Sequence, residues 1–224
     1  MTRHPVCAVS LMALVLGVAG TARAGDGDNI SSVMGSITVS AGEHRGDIAT
    51  VNGSIRIGEG ATAGNAHTVN GSVALEPHAT AAEVKTVNGS VHLHEGAQVN
   101  GGVHTVNGSL TLAQGAGVTG ALANVNGSIR VNAAHVGGDV QTVTGSIDIG
   151  PDARVDGGVI VRKERSSSND DSHGMPRIVI GPGSVVKGPL RFERAVELYV
   201  SDRATIGPVE GATPIKFTGD HPPG

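Results

Sequence analysis

Along most of this chain, two aliphatic residues flank a residue of no fixed type. The pairs are Ile37 and Val39, Ile55 and Ile57, Val73 and Leu75, Val91 and Leu93, Leu110 and Leu112, Ile129 and Val131, and Ile147 and Ile149. Between them stand Thr38, Arg56, Ala74, His92, Thr111, Arg130 and Asp148. Apolar, variable, apolar is the period of a strand with one buried face. A phrase ending in Gly-Ser precedes every pair. It is Val33-Met34-Gly35-Ser36 at first, then Val-Asn-Gly-Ser starting at Val51, Val69, Val87, Val106 and Val125, and finally Val143-Thr144-Gly145-Ser146. Its glycines, Gly35, Gly53, Gly71, Gly89, Gly108, Gly127 and Gly145, are separated by 18, 18, 18, 19, 19 and 18 residues. A short strand returning at that interval predicts an all-β chain, a single-stranded parallel β-solenoid (β-helix) whose coils are stable only on their neighbours. No stretch after Gly25 carries the apolar period of a helix.

About 18 residues per coil divide into three faces of six, which predicts a triangular cross-section. The Asn-Gly pair reads as a corner, because both residues tolerate the positive φ of a tight turn. Stacking would align Asn52, Asn70, Asn88, Asn107 and Asn126 into a ladder of side-chain amides, a structural role. In the same register the Val of each phrase is expected inward, and Thr50, Thr68, Thr86, Thr105 and Thr142 outward. At about 4.8 Å per coil, roughly nine coils would make a rod on the order of 40 Å long.

The first 24 residues set the compartment. Val6 to Gly20 is apolar, and Ala22-Arg23-Ala24 is a small-x-small site before Gly25. This is the pattern of a secretory signal peptide with cleavage after Ala24, so a periplasmic or secreted protein is expected. The single cysteine, Cys7, lies in that leader, and the processed chain would carry no disulfide. It would also lose Arg3 and Arg23, leaving 14 basic against 20 acidic residues. No basic stripe for nucleic acid is present in that balance, and no later stretch is apolar enough to be a transmembrane segment. The solenoid domain is expected over 25–217. Residues 163–176, with Lys163-Glu164-Arg165-Ser166 and Asp170-Asp171-Ser172-His173, break the period and read as a flexible loop. Residues 218–224 read as a polar tail. Phe192, Tyr199 and Phe217, the only aromatics, fall in the last coils, where a solenoid needs a cap.

Candidate chemistry is sparse. Asn-Gly-Ser matches the glycosylation sequon five times, but a corner recurring once per coil accounts for all five. His92 and His94 flank Leu93, and His67 and His104 share a column with Lys85 between them. Neutral imidazoles bind zinc, and zinc held between coils is the device of γ-class carbonic anhydrases, so a histidine/zinc-dependent enzyme or a ligand-binding module is the competing possibility. Ser166 to Ser172, Asp170, Asp171 and His173 lie together only in the predicted loop, which offers no preorganised triad. No catalytic residue, metal ligand or cofactor is assigned.

The steps Ile57-Gly58-Glu59-Gly60-Ala61, Ile149-Gly150-Pro151-Asp152-Ala153-Arg154-Val155 and Ile180-Gly181-Pro182-Gly183-Ser184-Val185-Val186 resemble the repeats of bactofilins, polymer-forming bacterial scaffold proteins built as a triangular β-helix. The chain is also similar to exported putative adhesins of the head-GIN kind, which join a signal peptide to glycine-rich repeats. Either resemblance covers most of residues 30 to 217. It implies a structural or scaffold protein of the bacterial cell envelope without catalysis, acting by self-association or contact with envelope components. Phe192 and Phe217 are the large apolar candidates for end-to-end contact.

Overall fold

A computed structural model of the chain describes residues 28–163 and 174–222. Residues 1–27, where the leader pattern falls, residues 164–173 within the expected loop, and residues 223–224 lie outside the described residues. Every regular element among the described residues is a β-strand, and every strand pairing is parallel. The chain is a β-solenoid.

Each coil visits three faces. Face 1 is a sheet of ten strands, one per coil, running from Ile37–Val39 through Ile129–Val131 to Ile215–Phe217. There are thus ten coils rather than nine, and at about 4.8 Å each the rod is about 43 Å long. Faces 2 and 3 form a second sheet that is continuous through Thr80–Asn88. The first residues of that strand pair with Gln98–Val99 on face 2, and its last five pair with Val103–Asn107 on face 3. The break between the two faces follows the sequence. Where two residues make the corner, Gly64-Asn65 or Ala82-Glu83, the strand runs through it, and where there are three, Asn100-Gly101-Gly102 or Gly137-Gly138-Asp139, two strands result. The extra residue has no partner in the ladder of the shorter corner and interrupts the pairing there.

The aliphatic pairs face inward as expected. Ile55, Val73, Leu75, Val91, Leu110, Ile129, Ile147 and Ile149 are almost wholly buried, each in register with its counterpart one coil away. Face 2 supplies narrower columns. Ala61, Ala79, Ala97, Ala116, Ala134 and Ala153 fill its corner with face 1, so the lumen there is only a methyl group deep.

Positive φ occurs at a different corner from the one the Asn-Gly motif predicts. It falls just before the alanine column, at Gly42, Gly60, His78, Gly96, Gly115, Ala133, Asp152 and Gly183. There the amides of Ala61, Ala79, Ala97 and Ala116 donate to the carbonyl three residues back. With Pro77, Pro151 or Pro182 at the preceding position, this is the chemistry of a type II turn. Of the seven phrase glycines only Gly35 and Gly127 have positive φ.

The C-terminal coils are the least regular. Phe192 is inward-facing and 6% exposed, and stacks in register with Val161. Phe217 is equally buried but pairs with Ser201, while the inward Val200 meets Lys216. The last coil is therefore one residue out of step, and Phe217 closes it from outside the contiguous core. Tyr199 points outward and carries the Arg177 guanidinium 4.8 Å above its ring centroid.

Candidate functional site

The repeated phrase is the most regular surface of the molecule, and its asparagines, glycines and serines are bonded to or packed on the neighbouring coil. Asn70 Nδ2 donates to Asn52 Oδ1 (2.9 Å), Asn88 to Asn70 (2.9 Å), Asn107 to Asn88 (2.9 Å) and Asn126 to Asn107 (3.0 Å). Thr144 continues the ladder by donating its hydroxyl to Asn126 Oδ1. The serines form a second ladder, in which the amides of Ser54, Ser72, Ser90 and Ser109 donate to the hydroxyl oxygen of the serine one coil back, at 3.2–3.3 Å.

The threonines correct the expected polarity. Thr50, Thr68, Thr86 and Thr105 are each 4% exposed and Thr142 is 1% exposed, so the column faces inward, while Val51, Val69, Val87 and Val106 are only half-buried on the outside. The hydroxyl can go inside because it has a partner. Thr68 and Thr86 donate to the carbonyls of Gly53 and Gly71 at 2.9 Å, Thr105 to Gly89 at 3.0 Å, and Thr50 to Gly35 at 3.2 Å. An outward threonine array therefore does not exist on this rod.

The glycines are required by contact rather than by φ. A Cβ on Gly53, Gly71, Gly89, Gly108, Gly127 or Gly145 would fall well inside the radius of the phrase-glycine carbonyl oxygen one coil back. Stacked corners approach so closely that only a hydrogen fits.

One coil breaks the threonine column. Asn124 occupies that position at 4% exposure, and neither its Nδ2 nor its Oδ1 has a hydrogen-bond partner. An unsatisfied buried amide is a stability defect. Asn124→Thr is expected to supply the missing hydroxyl for the Gly108 carbonyl and to raise stability by about 1 kcal/mol, or roughly 2–4 °C in Tm, by thermal melts.

The histidines do not converge. His67, Lys85 and His104 stack in register on face 3, and Glu83 meets Lys85 at 2.7 Å and the two imidazoles at 3.9 and 3.8 Å. Burial pushes both imidazoles below their usual pKa, and Lys85 adds to this. His92 and His94 are exposed on either side of buried Leu93. Among the described residues, no three His, Cys, Asp or Glu side chains are grouped so as to hold a metal ion. A further cluster that the sequence did not signal surrounds Asp156. It accepts from His135 (2.8 Å), Lys187 (2.9 Å) and Arg154 (3.0 Å), and these contacts, the hydrogen bond from Lys187 first, hold its carboxyl well below the usual range. It ties three consecutive coils together across face 2.

No family model matches the chain, and no curated protein or solved structure matches it. No helix among the described residues is long and apolar enough to cross a membrane.

Proposed function

We propose that this chain is a non-catalytic, exported scaffold of a bacterial cell envelope, which associates with itself through the ends of its solenoid. One observation carries the proposal: the motif that recurs through the chain is consumed by coil-to-coil bonds, whereas the two ends expose strand edges and apolar side chains. At the N-terminal end Ile30–Met34 pairs on one side only among the described residues, with Val33 64% and Met34 79% exposed. At the other end Ile215–Phe217 pairs on one side only among the described residues, with Ile215 48% exposed. An unpaired parallel edge is a template for another strand of the same spacing, and a second copy of the rod presents one. Phe192 and Phe217 are buried within the chain, so the apolar surface available for such a contact comes from Val33, Met34 and Ile215. The leader pattern at Ala22-Arg23-Ala24 and the likeness of the glycine-rich steps to bactofilin repeats support export and scaffolding.

Sedimentation and light scattering of the processed chain test this. The wild type is expected to form concentration-dependent oligomers, and Met34→Asp combined with Ile215→Asp to shift them toward monomer with an unchanged β signal in circular dichroism. A wild-type protein that stays monomeric at high concentration overturns the proposal.

A further inference from the structure

The tripeptide Val-Asn-Gly occurs six times in the chain. Five copies belong to the repeated phrase, and the sixth is Val99-Asn100-Gly101, at a corner between faces 2 and 3. All six asparagines are exposed, and all six have the same residue on either side. Whatever separates them chemically is therefore tertiary.

Asparagine is a thermolabile residue, and glycine after it makes it more so. The backbone nitrogen of the following residue can attack the side-chain Cγ, and glycine has no Cβ to obstruct the approach. Asn29, Asn65, Asn124 and Asn132 are followed by Ile, Ala, Val and Ala, whose side chains stand in the way. The attack needs two freedoms: the side-chain amide must swing over its own C-terminal peptide, and the glycine N–H must be free to lose its proton.

At four of the five ladder positions both freedoms are taken away. Asn70, Asn88 and Asn107 each donate to one neighbouring side chain and accept from the other, and Asn52 accepts from Asn70. The amides of Gly53, Gly71, Gly89 and Gly108 donate to the carbonyls of Asn70, Asn88, Asn107 and Asn126 at 3.0–3.1 Å. At the fifth position the Asn126 side chain is held between Asn107 and the Thr144 hydroxyl. Asn100 has neither restraint. Its backbone amide donates to the Ala81 carbonyl at 3.0 Å, and the Gly101 carbonyl accepts from Gly120 at 2.8 Å. Its side chain and the Gly101 N–H, however, make no hydrogen bond among the described residues. The corner is also one residue longer than those of the two coils before it, and Asn100, Gly101 and Gly102 lie outside the strands, so it can rearrange without breaking the stack.

We propose that Asn100-Gly101 is a site of spontaneous covalent modification, where the chain deamidates while the ladder protects the identical pairs elsewhere. The Gly101 nitrogen bonds to Asn100 Cγ and gives up its proton, the Cγ–Nδ2 bond breaks with release of ammonia, and a five-membered succinimide results. Water then opens the ring, at the side-chain carbonyl to give aspartate or at the main-chain carbonyl to give isoaspartate. The net change is amide and water to carboxylate and ammonium, with no oxidation or reduction. The corner lies away from both rod ends, so the modification is independent of self-association.

Peptide mapping by mass spectrometry tests this, on the processed chain incubated at physiological temperature and mildly alkaline pH, with fragmentation that distinguishes isoaspartate from aspartate. In the folded chain Asn100 is expected to convert at least about tenfold faster than Asn52, Asn70, Asn88 and Asn107, which react only when the stack opens. In urea that difference is expected to vanish. A ladder asparagine of these four that keeps pace with Asn100 in the folded chain overturns the proposal, as does a difference that persists in urea. Aspartate at position 100 without isoaspartate also overturns it, because water rather than the Gly101 nitrogen would then be the nucleophile.

Discussion

Ile129→Asp is expected to unfold the centre of the rod. Ile129 is fully buried in the sixth coil, stacked between Leu110 and Ile147 with no basic group in its column. A carboxylate there has neither water nor a partner, and an unpaired buried charge costs on the order of 3–5 kcal/mol. Because each coil is stable only on its neighbours, the loss propagates to both sides. Urea or thermal denaturation followed by circular dichroism should show a lowered and broadened transition, or no folded protein. His92→Asp introduces the same charge at an exposed position beside buried Val91, and is expected to change stability by no more than about 0.5 kcal/mol. Equal effects would mean that the inward column has been misassigned.

The second large effect is at a glycine. Gly89→Ala would drive a methyl group into the Gly71 carbonyl oxygen, and neither side can give way. The amides of Gly71 and Gly89 are bonded to the Asn88 and Asn107 carbonyls, and the Asn88 and Ser90 side-chain and backbone bonds to the previous coil hold the same spacing. Overpacking against fixed backbone is expected to cost several kcal/mol. Gly60→Ala is the control, since nothing lies within 4 Å of its Cβ position and only its φ of 63° is strained, a penalty of about 1–2 kcal/mol. A milder result at Gly89 than at Gly60 would show that the corners are not in close contact.

These two positions also show how far the chain could be read before it was folded. The column of Ile129 was legible because burial of one strand face imposes a period of two, and the 18-residue return places like on like. The need for glycine at Gly89 was legible, but its reason was not. Positive φ was the local explanation, whereas the actual constraint is a carbonyl 18 residues earlier in the chain. The threonines were misplaced for the same cause. A hydroxyl is expected outside unless it has an acceptor, and the acceptor of Thr68 is the Gly53 carbonyl, which only stacking brings within reach. Asn124 was invisible as a defect because its neighbours in space are Thr105 and Thr142, not the residues beside it in the chain.

The surroundings of Asp148 lay further still from what a sequence can express. Arg130, Asp148 and Val179 share an outward column with no common chemistry, and the polar tail, whose His221 lies beside Asp148, carries no signal of where it lies. By itself the sequence determined the repeating strand, the parallel stack and the asparagine ladder, because each follows from a periodicity that local geometry converts directly into contacts. Only the tertiary structure decided which hydroxyls are buried, which corner carries positive φ and where the tail returns, because each depends on partners brought together by stacking or by a chain reversal that no period encodes.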